Sequence, residues 1–597
     1  MMSWLKKHIF NEINGIPIVL QIRLISMLLS WSKKHSIEII LLIVCCSYFG
    51  AMAAPGMSWV NVDSDGPTYL ASARHLILSH PTGAPLYDLI NAVMVRAIPF
   101  GDEYWRLCMV SAIAAGATCL LLYVLAKRYT QGKWKAMIAP LVYCASGLVV
   151  SQATILDTYA LVTFISVLAY YFHVTGKVRS KYLTLACGIG IHHLILIPLG
   201  VFWITDLAKN IMARKNGNKV GLVRPAMFLW LIGFVAYLYV PIVNAEPYNW
   251  IKGSGFGDYM RYFFEQGNLI GGLSVLEPDG LQRLYDFVGI TGLSFALSGL
   301  LILPGMYYSY KKKSYEGRLL AFLTFFYLLY YATDMAPQTY TYMMPAFAFG
   351  GLLAVKGLEY VTFKRLGWIV AISSIGLMIF NIQTYDIGRT LDKELQCSVY
   401  YQGLDDIPDG SVLWLEKGGW WRDTLWLHNA DNKADGGNQI TVLPRFGRDN
   451  ERNMAEAWEA FNNSNLLIQD TIDMRAETSL IRVATIEDFD RMYATVNPRS
   501  AFQQGVVQAS WSNPVDAITG KVEMQKWHTV TASSQSAFFL ITFGLWGIGC
   551  TYVGDYFVKR NKAMDKRKRV LVRAVILALG ICLFMGICMA SGMQLAI

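Results

Sequence analysis

The chain has 597 residues, of which 54% are hydrophobic and only 16% charged, and its mean hydropathy is +0.35. A soluble chain of this length would divide into several cores and carry about a quarter charged residues, so a soluble globular protein is excluded and lipid must solvate much of the surface. The net charge of +10 does not mark a nucleic-acid binder. Lys and Arg gather in short connectors such as "KKK" (311–313) and "KRNKAMDKRKR" (559–569), the pattern of cytoplasmic loops.

In chain order, residues 1–36 carry scattered Lys and Arg with no small-residue cleavage site, and "IPIVLQIRLISMLLSW" (16–31) reads as a basic amphipathic helix on the cytoplasmic membrane face. Apolar runs follow at about 37–55, 105–126, 136–154, 157–174, 182–206, 225–243, 285–309, 317–333, 340–358, 366–383, 536–558 and 570–593. Runs near 20 residues cross about 30 Å of hydrocarbon as helices. The expected fold class is therefore a polytopic α-helical membrane protein of about 12–13 spans, with a membrane module over 37–383 and a closing helix pair in 535–597. Lys6, Lys7, Arg23, Lys33 and Lys34 place the N-terminus inside, which puts a first loop at 56–104 and a second at 244–284 outside.

Run 182–206 has basic residues on both flanks, Lys177, Arg179 and Lys181 before it and Arg214, Lys215, Lys219 and Arg224 after. A single crossing would invert every later loop, so the run is expected to form two short arms broken near Gly190 or Pro198. The alternative is a local exception to the charge rule. Residues 84–97 are too short to span and too apolar for water, and read as a re-entrant or interfacial helix. From 384 to 534 acidic residues outnumber basic ones and no span occurs. There "SVLWLE", "QITVLP" and "NLLIQD" read as strands and "ERNMAEAWEAF" as an amphipathic helix, giving a small exterior α/β domain. Its stretch "KGGWWRDTLWLHN" (417–429) is rich in Trp, suited to stacking on sugar rings or to core and interface packing. Of the ten cysteines only Cys397 lies in that polar segment, so no disulfide framework or Cys-type zinc site is readable.

The chemistry-bearing residues concentrate in "NVDSDGPTYLASARHLILSHPTGAPLY" (61–87), directly after the first span. Asp63 and Asp65 suit a turn, or a carboxylate at the membrane surface that takes a proton from an attacking hydroxyl. The "DSD" triplet also admits a divalent cation, since such ions take oxygen ligands. Asp157 suits a helix N-terminus. His192 and His193 lie inside an apolar run, where ionisable groups face a cavity or a partner, and Arg106 at a span start can snorkel or meet a phosphate. Cations beside a carboxylate suit transfer from a lipid phosphate. No Walker motif or GxGxxG occurs.

These residues resemble the GT-C-fold membrane proteins related to the eukaryotic transmembrane O-mannosyltransferase of plexin-type receptors and its prokaryotic relatives. That family's pattern runs roughly D-x-G-E-[FY]-x-x-A-A, H-P-P-G-x-P-L-[YF], R-x-N-x-x-S-A. Here stand Asp65 with "GPTYLASA", "HPTGAPLY" from His80, and "RLCMVSA" from Arg106. Downstream, "DTYAL" at Asp157, "GIGIHH" and "YLYVPIVNAEPYNW" (237–250) are similar to further family blocks. The resemblance fades after about residue 280, and it departs at Thr68, His192 and Val243, where the family has Glu, Asn and Arg.

The resemblance implies an inverting transfer of a sugar from a polyprenyl-phosphate donor to a protein or glycan hydroxyl outside the membrane. Asp65 would be the base and Asp157 a second catalytic carboxylate. Asp63, Arg74, His80, Arg106, His192, His193, Tyr239, Asn249 and Trp250 would bind substrate or order the loop, joined by Lys252 and Arg261 on charge and location. The competing readings are a lipid-linked-substrate transporter or flippase, disfavoured by a polar cluster confined to one face and by the lack of repeated halves, and a non-catalytic scaffold, favoured by Thr68.

Overall fold

In a computed structural model, the structure describes residues 35–53, 65–79, 83–99, 101, 103–218, 221–243, 258, 295–333, 339–361 and 364–385. It also describes short stretches at 412–415, 427–428, 430–432, 441–443, 467–470, 481–484 and 507–508. The amphipathic helix expected at 16–31, most of the loop at 244–284, the helix expected at 451–461 and the last two apolar runs lie outside the described residues.

The described chain is a helical membrane bundle. Its helices are α1 (Ser36–Ala51), α2 (Gly66–His75), α3 (Pro85–Ala97), α4 (Glu103–Ala126), α5 (Lys133–Ala136), α6 (Ile138–Ala145), α7 (Gly147–Ala153), α8 (Tyr159–Val174), α9 (Val178–Ile189) and α10 (Leu196–Lys215). A 3-10 segment (Pro225–Tyr239) runs into α11 (Val240–Val243), and α12 (Gly299–Lys311), α13 (Tyr315–Thr333), α14 (Met344–Tyr360) and α15 (Lys364–Tyr385) follow. Among the described residues five helices are long and apolar enough to cross a membrane, or six if the pair bent by 69° at Ser146 counts as one span. The bend has a local cause: Ser146 leaves the helical conformation and its hydroxyl accepts the Val149 amide, starting a new helix at Gly147.

Helix α14 lies at the centre and is buried from Met344 to Leu358, with α12, α13, α6 and α8 around it. Lipid offers no hydrophobic drive for helices to associate, so close contact rests on small residues. A Cβ at Gly357 would overlap the Leu301 carbonyl, and one at Gly305 would overlap the Leu353 carbonyl, so α12 and α14 touch backbone to backbone. Elsewhere in the interior Cys45, Cys119 and Cys144 bring their sulfurs within 4.8 Å of one another from α1, α4 and α6. Sequence spacing gives no hint of that grouping, and the thiols pack there as small apolar residues within the core.

The break in the 182–206 run falls at Gly190. Helix α9 ends at Ile189, and α10 begins at Leu196 after a 3-10 turn at His193–Ile195. The chain doubles back: Lys181 Nζ, near the start of α9, is 2.5 Å from Asp206 Oδ2 in α10, and the Tyr182 hydroxyl donates to the same oxygen at 3.1 Å. The two basic flanks therefore sit at one end of the bundle, as the charge pattern required. That end also holds the pairs Lys127–Glu38, Arg128–Glu316 at 3.6 Å and Lys135–Glu359 at 2.7 Å. Lys127 and Arg128 follow the end of α4, Glu38 and Glu316 stand in the first turns of α1 and α13, and Glu359 in the last turn of α14.

Strands β1 (Val412–Leu415), β2 (Thr441–Leu443) and β3 (Leu467–Asp470) fall within the three stretches read as strands, and β4 (Ile481–Ala484) and β5 (Val507–Gln508) join them. The sheet order is β2-β1-β3-β4-β5, with β1 parallel to β2 and β3, and β4 antiparallel to β3 and β5.

Candidate active site

Among the described residues, those the sequence singled out lie toward the end of the bundle opposite the ion-pair layer. Asp65 is the N-cap position of α2, with Pro67 early in the helix to fix its start, and it makes no side-chain capping bond. Tyr69, one turn on, is buried and packs edge-on against Tyr87 of α3 at 4.9 Å between ring centroids. Burial, then the nearby charges of Asp65 and Asp157, push the Tyr69 phenol well above its usual pKa, so it stays a protonated donor. Both carboxylates thus act on one phenol, from positions 92 residues apart in the chain.

Asp157 is 4% exposed and precedes α8. Its Oδ1 accepts the Thr158 amide at 2.5 Å, a favourable place for a negative charge at a helix N-terminus. Its carbonyl accepts the hydroxyls of Tyr87 and Ser111, each at 2.9 Å, which tie α3 and α4 to the start of α8. Tyr159, the first residue of α8, feels both Asp157 and Asp65 and packs against His192 at 5.4 Å and Tyr342 at 5.5 Å. The hairpin turn supplies the imidazoles. His192 Nδ1 accepts the Leu194 amide at 3.1 Å, and the ring stacks on His193 at 4.2 Å. Tyr342, before α14, closes this aromatic wall, 5.7 Å from His192 and 6.0 Å from His193.

Three predicted residues hold the scaffold. Arg74 Nε is 2.5 Å from Glu103 Oε2 and Arg74 Nη1 is 2.5 Å from Asp431 Oδ2, so it orders the loop helix. Arg106 donates to the carbonyls of Gly101 at 3.0 Å and Val95 at 2.9 Å. The Tyr239 hydroxyl donates to the Leu76 carbonyl at 3.1 Å, holding a leucine whose φ of 55° is strained for a residue with a γ-branched side chain. Its neighbour Tyr237 donates to the carbonyls of Gly83 and Ile189, and Leu86 donates to Gly190, so the "YLY" motif binds the first loop to the hairpin break. Asp63, His80, Asn249, Trp250, Lys252 and Arg261 lie outside the described residues, as does one of the two aspartates of the divalent-cation reading.

Sequence reasoning passed over Tyr69, Tyr87 and Tyr159, although each stands inside a quoted motif. It also missed Arg96, which donates to the Ala73 and Arg74 carbonyls at 2.8 and 2.9 Å and caps the C-terminus of α2. Tyr342 and Asp431 carried no local signal, since their partners are supplied only by the fold.

Residues 65–205 match the family model described as protein O-mannosyl-transferase TMEM260 N-terminal domain. The protein O-mannosyl-transferase TMEM260 of Mus musculus is 19% identical over 214 residues, 34% of this chain and 30% of its own length. The match thus spans about a third of that relative. Among solved structures, ArnT from Cupriavidus metallidurans, bound to undecaprenyl phosphate and in the apo state, aligns over 74% of this chain and 93% and 94% of its own, each at TM-score 0.49 and 10% identity. The matched residues run from the Asp65 helix past the hairpin that presents His192 and His193, so the likeness to that family covers the elements that build this site.

Proposed function

We propose that this protein is a GT-C-type glycosyltransferase that moves a sugar, mannose in the simplest case, from a polyprenyl-phosphate donor to a protein or glycan hydroxyl at the outer membrane face. The observation that carries the reading is that Asp65, at the head of α2, and Asp157, at the head of α8, both lie near Tyr69 and Tyr159, the latter packed on the His192–His193 stack, within the matched residues 65–205. In the reaction the acceptor oxygen bonds to the anomeric carbon as the bond from that carbon to the phosphate oxygen breaks. The electron pair leaves with the lipid phosphate, Asp65 takes the hydroxyl proton, and the configuration inverts. Asp157 and Tyr69 orient the acceptor. With Arg74 and Arg106 engaged in the scaffold, His193, Lys252 and Arg261 are assigned to the leaving phosphate.

Thr68 favours the scaffold reading, and its position says why it matters. It occupies the third helical position after Asp65, where the family's Glu could reach back to the N-cap amide in a capping box. Here the side chain is 1% exposed and its hydroxyl has no hydrogen-bond partner among the described residues. The chemistry then falls to Asp65 without that companion. The test is transfer of radiolabelled sugar from a polyprenyl-phosphate donor by the purified protein. Wild type is expected to transfer, and Asp65→Asn to lose about 100-fold or more, the usual worth of a general base. An Asp65→Asn variant as fast as wild type removes the assigned base, and donor binding without transfer by wild type supports the scaffold instead.

A further inference from the structure

The carboxylate of Asp431 closes a contact that sequence spacing cannot anticipate. Its Oδ2 meets Arg74 Nη1 at 2.5 Å and its Oδ1 meets His75 Nε2, so both oxygens bind the last turn of α2 across more than 350 residues of chain. Glu103, at the head of α4, holds Arg74 from the other side at 2.5 Å, and Arg96 from α3 caps the same turn. Asp431 is itself anchored. Leu427 and Ala430 are buried in the hydrophobic core, His428 is 2% exposed, and the Asp431 side chain is only 13% exposed. Such charge-assisted pairs, partly shielded from water, are stronger than surface ion pairs.

A ten-residue helix is a rod about 15 Å long, so a tilt at one end displaces the other. The end opposite Asp431 is Asp65. We infer that Asp431 is a positioning residue that fastens the 427–432 stretch to α2 and thereby sets where Asp65 stands relative to the acceptor. This rests on the glycosyltransferase reading above.

Two readouts on the full-length protein test this. The first is amide hydrogen exchange in α2 with α14 as internal reference, which needs no transferase activity. The second is the steady-state kinetics of transfer. Asp431→Ala is expected to raise α2 exchange about 10-fold or more with α14 unchanged, the scale of one lost charged hydrogen bond. It should lower kcat by a similar factor while leaving the KM for donor lipid unchanged, and Asp431→Glu should restore most of both. If Asp431→Ala does not fold, Asp431→Asn, which keeps the oxygen and removes the charge, is measured in the same way. Unchanged α2 exchange, or an equal rise in α2 and α14, overturns the inference, as does a Glu variant as impaired as Ala. A wild type that transfers no sugar, yet shows the exchange response, overturns the glycosyltransferase reading and leaves the α2 contact standing.

Discussion

Asp157 stands two positions before Tyr159, and its side chain has a structural duty and a proposed chemical one. The structural duty is the bond from the Thr158 amide at 2.5 Å, which any side-chain oxygen at that position can accept. The chemical duty depends on charge, because the carboxylate shares Tyr69 and Tyr159 with Asp65. Asparagine keeps the first and removes the second. Asp157→Asn is therefore expected to unfold within about 0.5 kcal/mol of wild type and to transfer sugar at least about 10-fold more slowly, whereas Asp157→Ala should also cost about 1 kcal/mol of stability. Thermal unfolding in detergent, paired with the transfer assay, separates the two; an Asn variant with full activity would reduce Asp157 to a cap. The residue types of this site were legible in the sequence, since Asp65, Asp157, His192 and His193 all reach one end of the bundle. Arg74 was expected to order the loop and Arg106 to meet the donor phosphate; the partners that occupy them, Glu103 and Asp431 for the first and the Gly101 and Val95 carbonyls for the second, are brought to them by the fold.

At the scale of elements, the α12–α14 contact gives the sharpest stability test. A methyl group at Gly357 would overlap the Leu301 carbonyl, and backbone cannot yield as a side-chain tip can. Gly357→Ala is expected to destabilise by about 1–3 kcal/mol. Gly376 in α15 has open space where a Cβ would go, so Gly376→Ala should leave stability unchanged or raise it by up to about 1 kcal/mol through helix propensity. The ordering of the two melting points is the check, and equal shifts would contradict the close helix approach. The hairpin α9–α10 was readable without coordinates because charge on both flanks excludes one crossing and Gly190 offers the break. The 69° bend at Ser146 was not, because an apolar run gives no sign of where a serine hydroxyl will cap a new helix.

For the whole molecule, the bundle separates an end of ion pairs from an end of carboxylates, phenols and imidazoles. The positive-inside rule predicts a cytoplasmic ion-pair end. An epitope tag inserted after Gly217, in the connector past α10, should then be reached by antibody only from the side that holds the N-terminus. A tag after Gly436 should be reached only from the opposite side. Tags reporting one side for both positions would invert the topology and place the proposed site away from an exterior acceptor.

Hydropathy and charge asymmetry by themselves determined that this is a polytopic membrane protein and that the 182–206 run is broken near Gly190 or Pro198, while the motifs named the carboxylates and imidazoles proposed for the site. Those properties are legible because lipid and charge act on each segment locally, whatever its neighbours. The tertiary structure alone decided that Tyr69 and Tyr159 lie near both Asp65 and Asp157, that Tyr342 completes the wall, that α12 meets α14 backbone to backbone, and that Asp431 grips Arg74 and His75. Each of these is a contact between distant segments, and its energy depends on distances of a few ångströms that only helix packing fixes.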